Sequence, residues 1–224
     1  MGNQSDFAVI PVGGFNPARV RDLSRGIEVT LGMNISKAVV FDRDFRSDEE
    51  VAKILRDLGV FATFAHIHER KEIENYLLVP AAIKRAIEAR LRSKAAAAVR
   101  AEPVCEDIEG MLRRLTEEMK SRVNAQFMSK RQRYLRECNP ALDQATLNQE
   151  MLEDFDAIWS DFDTRLEVVP GKDLLASLSG QLQSNLGISL TTGLIVRTMR
   201  KDEVPAGMLA LLGKLDDFRG ANVS

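Results

Sequence analysis

The strongest constraint on the fold lies in residues 7 to 80, where short apolar runs alternate with stretches of helical periodicity. Phe7 to Val12 (FAVIPV) reads as a strand ending in Gly13-Gly14, and Asn16-Pro17 then supplies a helix N-cap with proline in the first helical turn. Val20, Leu23, Ile27 and Leu31 keep helical spacing as far as Gly32. Ala38 to Phe41 reads as the second strand. Ser47-x-x-Glu50 has the form of a capping box, and Val51, Ile54, Leu55 and Leu58 run down one face to Gly59. Val60 to Ala65 reads as the third strand. Apolar strands separated by helices of about ten residues are what a parallel sheet with right-handed crossovers requires. The expectation is therefore α/β: a Rossmann-like parallel sheet flanked by helices.

Beyond Pro80 the pattern becomes helical. Ile83, Ile87 and Leu91 precede an alanine tract, Ala95 to Ala98. From Glu106, the residues Leu112, Leu115, Met119, Val123, Phe127 and Tyr134 form one stripe of a helix that reaches Asn139-Pro140 and extends about 45 Å. A returning helix follows Asp143, so residues 81–162 read as an inserted α-helical hairpin. Residues 1–80 and 163–224 are assigned to the core. The latter begins with a predicted strand, Arg165 to Val169, and continues through Pro170-Gly171-Lys172 into helices, with Thr191 and Pro205 as later helix starts.

The remaining composition narrows the function classes. With 224 residues, 45% hydrophobic and 29% charged, the chain can bury a substantial core, and its net charge of -2 excludes a globally basic nucleic-acid binder. Cys105 and Cys138 show neither disulfide nor zinc spacing, which fits a reducing cytoplasm. No apolar run approaches the roughly 20 residues of a membrane span, and MGNQSD lacks the features of a signal peptide.

Four features carry chemistry. Asp42 and Asp44 follow the second strand, where α/β sheets bind ligands, and two carboxylates two residues apart in extended backbone share a side. They read either as a site for magnesium or manganese or as the polar end of a strand. In "ERKEIENYLLVP", residues 69 to 80, the acids Glu69, Glu72 and Glu74 follow the third strand and form either a second part of that pocket or an ordinary acidic helix start. His66 and His68, the only histidines, lack a third metal ligand in sequence. Lys172 follows a glycine at a strand-to-helix junction and suits charge neutralisation on a phosphate. The surrounding residues are not a P-loop, and Gly13-Gly14 is not a dinucleotide fingerprint. Arg122, Lys130, Arg131 and Arg133 belong to a local positive stripe on the long helix, either a phosphate-backbone surface or a solvated helix face.

Taken together, strand-DRD-helix-strand-"KEIENYLL" and the late "VVPGKDLL" resemble the TOPRIM domain of overcoming-lysogenisation-defect (OLD) type nucleases and related AAA ATPases. The resemblance spans residues 7 to 80 and 163 to 218. It implies a metal-dependent endonuclease acting on DNA or RNA in an antiphage defence system, with an ATPase domain or subunit as partner and possible homo-oligomerisation. Asp42 and Asp44 match the family's DxD motif, Glu72 and Glu74 its later acidic motif, and Lys172 a late lysine that assists the chemistry. The four acids would hold Mg2+ or Mn2+. TOPRIM domains open with a strand and a glutamate that have no counterpart before Phe7, so the resemblance implies a fragment, or a subunit completed by a partner. The alternative is a non-catalytic nucleic-acid-binding or assembly module. A phosphatase of the haloacid dehalogenase type also uses paired aspartates, but Phe45-Arg46 stand where that family has a small or hydroxylated residue.

Overall fold

A computed structural model of the chain describes residues 8–98, 107–141 and 143–220. It divides into two compact units. One contains the residues up to Arg43, Ser47–Glu69 and the chain from Ala206; the other contains Asp44–Arg46 and Arg70–Pro205.

In the first unit, helix α1 (Pro17–Leu31) starts where the Asn16 side chain accepts the Arg19 N–H at 3.0 Å. It stops at Gly32, whose φ of 66° suits a residue without Cβ. Strand β1 (Ala38–Phe41) is followed by helix α2 (Asp48–Gly59), capped by the Ser47 hydroxyl, which accepts the Glu50 N–H at 3.2 Å. Strand β2 (Phe64–Ile67) returns parallel to β1, in register from Ala38 opposite Phe64 to Phe41 opposite Ile67. Val20, Val39, Phe41, Leu58 and Ile67 form a small core, with the Phe15 ring 4.6 Å from that of Phe41.

These two strands form the only sheet among the described residues, against nine α-helices. The Rossmann-like TOPRIM sheet expected from the sequence is therefore not the architecture of this chain, which is mainly helical. Three local causes account for the difference. Residues 8–12 have no strand partner, Val9 and Ile10 are exposed, and Pro11 has no N–H to contribute to a ladder; Phe7 lies outside the described residues. The strand expected at Arg165 to Val169 is instead helix α6 (Phe162–Val168), because Asp161 accepts the Thr164 N–H at 2.9 Å and Phe162 and Leu166, one turn apart, are both buried. The strand expected from Val60 starts only at Phe64, since the Phe61 and Ala62 amides still bond to the Leu58 carbonyl at the end of α2.

The described residues of the second unit contain helices and no strand. Helix α3 (Pro80–Ala98) is followed by α4 (Ile108–Cys138), which starts where Asp107 accepts the Gly110 N–H at 3.0 Å and at 31 residues is about 46 Å long. Helix α5 (Gln144–Ser160) returns antiparallel to α4: as α4 is followed from Glu117 through Lys120 and Gln132 to Arg136, the α5 partners run in the opposite order, Trp159, Asp156, Asn148, Gln144. Between them the Phe127 ring lies tilted 52° against Phe155, which stacks on Trp159, with ring centroids 5.6 and 5.3 Å apart. Helices α7 (Gly171–Leu186) and α8 (Thr192–Thr198) complete the core through Leu174, Leu178, Leu182 and Ile195. The last helix, α9 (Ala206–Gly220), belongs to the first unit. None of the described helices is long and apolar enough to cross a membrane.

Candidate functional site

Asp42, exposed just beyond β1, lies in the first unit, and Asp44 in the second. Asp44 has a φ of 52°, a left-handed conformation that aspartate tolerates better than most residues. The alternation of extended backbone therefore does not run through it, which corrects the expectation that both carboxylates point to one side of a strand.

Within the second unit, Asp44 donates its N–H to the Lys71 carbonyl at 3.0 Å, and its Oδ2 accepts from Arg46 at 2.9 Å. The Arg46 side chain is 3% exposed, a guanidinium taken almost wholly out of water and paired there with the Asp44 carboxylate. Lys71, also buried, lies over the Phe45 ring at 5.3 Å and donates its ammonium to Glu72 Oε1. The other carboxylate oxygen of Glu72 accepts the Lys172 backbone N–H at 3.2 Å. Three segments far apart in sequence, 44–46, 71–75 and 170–172, thus meet through named bonds.

Asn75 is the residue on which this junction turns. It sits in a 3₁₀ turn, Ile73–Leu77, and is fully buried. Its side-chain amide donates to the Leu166 and Val169 carbonyls at 2.7 and 2.9 Å, while its Oδ1 accepts the Glu72 N–H at 2.9 Å. Gly171 packs directly against it: a Cβ there would stand 2.9 Å from the Asn75 backbone nitrogen. The sequence offered Glu72 and Lys172 as reactive groups and passed over Asn75 and Gly171. The signals were an amide inside the acidic "EIEN" and a glycine at a helix start, both features of close backbone approach.

Glu74 and Lys172 differ from Glu72. Among the described residues neither side chain makes a hydrogen bond or an ion pair, and both line one cavity of about 510 Å³. Its floor follows a single stripe of α7 through Leu175, Ala176 and Gly180, and Ile195 of α8 faces it.

The positive stripe of α4 is partly neutralised at home. Arg122 pairs with Asp173 at 2.9 Å and Lys120 with Asp156 at 3.6 Å, while Arg131 lies over the Phe127 ring at 5.3 Å. Lys130 and Arg131 have further contacts of their own, and Arg133 is exposed with no ion pair among the described residues. In the first unit, the rings of His66 and His68 meet edge to face, 5.3 Å apart. Burial, and then the charge of its neighbour His66, depresses His68 to about 4; burial, reinforced by the charge of Lys214, also lowers His66. Cys138 is exposed, and Cys105 lies outside the described residues.

A magnesium or manganese ion needs several carboxylate oxygens converging on one point. Among the described residues no three of His, Cys, Asp or Glu are gathered to hold a metal. Glu72 has both oxygens engaged by Lys71 and Lys172, and Asp44 has one held by Arg46. No family model, curated protein or solved structure matches the chain.

Proposed function

We propose that this chain is a nucleic-acid-binding module of a nuclease system of the OLD type, engaging phosphate without cutting by itself. The observation that supports this reading is that Asp44, Glu72 and Lys172, each from a stretch that carries the resemblance, meet in an arrangement where Asp44 and Glu72 are bound within the fold and the Lys172 ammonium is left for a ligand. Arg133, exposed on α4, adds a cation to the same unit. Phosphate contacts of this kind are independent of sequence and weaken steeply with salt.

The test is a gel-shift titration of labelled DNA at two salt concentrations in the presence of a chelator. Binding should fall with salt, survive Asp42→Ala, and weaken roughly tenfold in the double variant Lys172→Glu/Arg133→Glu, the scale expected from losing and reversing two phosphate contacts. Failure to bind DNA or RNA under any of these conditions overturns the proposal.

A second reading, a metal-dependent endonuclease, draws support from Asp42 at the carboxyl end of β1, where α/β units place ligand-binding groups. Plasmid nicking in manganese that is lost in Asp42→Ala would establish it in place of the first.

A further inference from the structure

The cavity between α7, α8 and the 3₁₀ turn contains Lys172, and apart from that cation its lining is not used by the reading above. Its volume of about 510 Å³ lies within the range that holds one small organic ligand. Leu175 and Ile195 give it an apolar lining, and Gly180 leaves room in its floor, since a Cβ added there would meet nothing within 4 Å. One end carries a cation and an acceptor, Lys172 and Glu74. Further along, Gln183 uses its Oε1 to accept from Ser189 at 2.9 Å and keeps its amide N–H groups for a ligand.

We infer that this cavity receives one unpaired nucleotide, so that the module binds single-stranded nucleic acid in preference to duplex. This rests on the nucleic-acid reading above and specifies its substrate. The Lys172 ammonium suits the phosphate, the apolar lining suits a base, and the Gln183 amide N–H groups, further along α7, suit the acceptor atoms of a base edge. A paired base inside a duplex is stacked on both sides and offers no edge to such a cavity; entering it requires the base to leave the stack, which costs a few kcal/mol unless the strand is already single. An apolar peptide side chain would fill the floor but leave the Lys172 and Glu74 end without a partner.

The experiment measures fluorescence anisotropy of a labelled deoxycytidine-rich strand of about 12 nucleotides, alone and as a duplex, in the presence of a chelator. Wild type should bind the single strand roughly tenfold more tightly than the duplex, the scale of one well-placed base contact. Gly180→Leu, which projects a side chain into the cavity from the open face of α7, should abolish that preference while leaving duplex affinity unchanged. Gly180→Ala, smaller and favourable to the helix, should retain most of it, and circular dichroism should show α7 intact in both. Single-strand preference unaffected by Gly180→Leu, or no preference in the wild type, overturns this inference and leaves the nucleic-acid reading standing. Absence of binding to either probe overturns both.

Discussion

At the scale of single residues, the acidic motif of this chain is divided between holding the fold and meeting a ligand, and the division falls within three positions. Glu72 accepts from Lys71 and from the first turn of α7, Asn75 bridges to the end of α6, and only Glu74 faces open space. Spacing alone treats Glu72 and Glu74 alike; what separates them is the 3₁₀ turn, which puts consecutive acids on different sides. The energetic centre is Asn75 rather than either glutamate. Asn75→Ala would leave the Leu166 and Val169 carbonyls and the Glu72 N–H without their buried partner, and unsatisfied buried groups cost about 1 to 3 kcal/mol each before relaxation. Urea unfolding should therefore show a loss of about 3 kcal/mol. Gly171→Ala should lose about 2 kcal/mol through its clash with backbone rather than a movable side chain. If either variant unfolds at the wild-type midpoint, the junction does not hold the second unit together.

At the scale of elements, helix boundaries were legible in the sequence and strand pairing was not. Asn16, Ser47, Asp143 and Thr191 each cap a helix where the pattern places one, because an N-cap acts within three residues and needs no tertiary context. Strands depend on partners that sequence does not name. Ala38 to Phe41 found one in Phe64 to Ile67, whereas residues 8–12 did not, and the run Arg165 to Val169 was claimed by the Asp161 cap. Of the candidate site, residue type did not announce that Glu72 would meet the backbone N–H of Lys172, and Asn75 became visible only once the turn was in view. The caps make a quantitative statement of their own. Ser47→Ala removes the acceptor for the Glu50 N–H at the start of α2 and should cost about 1 kcal/mol, read as a lower urea midpoint with an unchanged denaturant slope. Ser47→Asp, which restores an acceptor and places a negative charge at the helix start, should recover most of it.

At the scale of the whole molecule, two units with separate cores imply that stability need not be lost everywhere at once, and acid provides the means to separate them. Both histidines lie on or just after β2 in the first unit, and the second unit contains none. His68 has an ordinary value of 6.5 in the unfolded chain and about 4 when folded, because burial disfavours its charged form. The unfolded chain therefore binds a proton first as pH falls. The contribution of neutral His68 to stability is complete above about 6.5, declines through the interval down to about 4, and is constant below it; His66, shifted in the same direction, adds to the decline. Hydrogen exchange compared at pH 7 and pH 5, corrected for the intrinsic rates, should show protection falling in Ala38–Phe41 and Phe64–Ile67 while the amides of α4 and α5 hold theirs. His68→Phe, which keeps the ring and removes the titrating group, should flatten that dependence in the first unit. An equal loss of protection in both units, or an unchanged loss in His68→Phe, would mean that some other group governs the acid response.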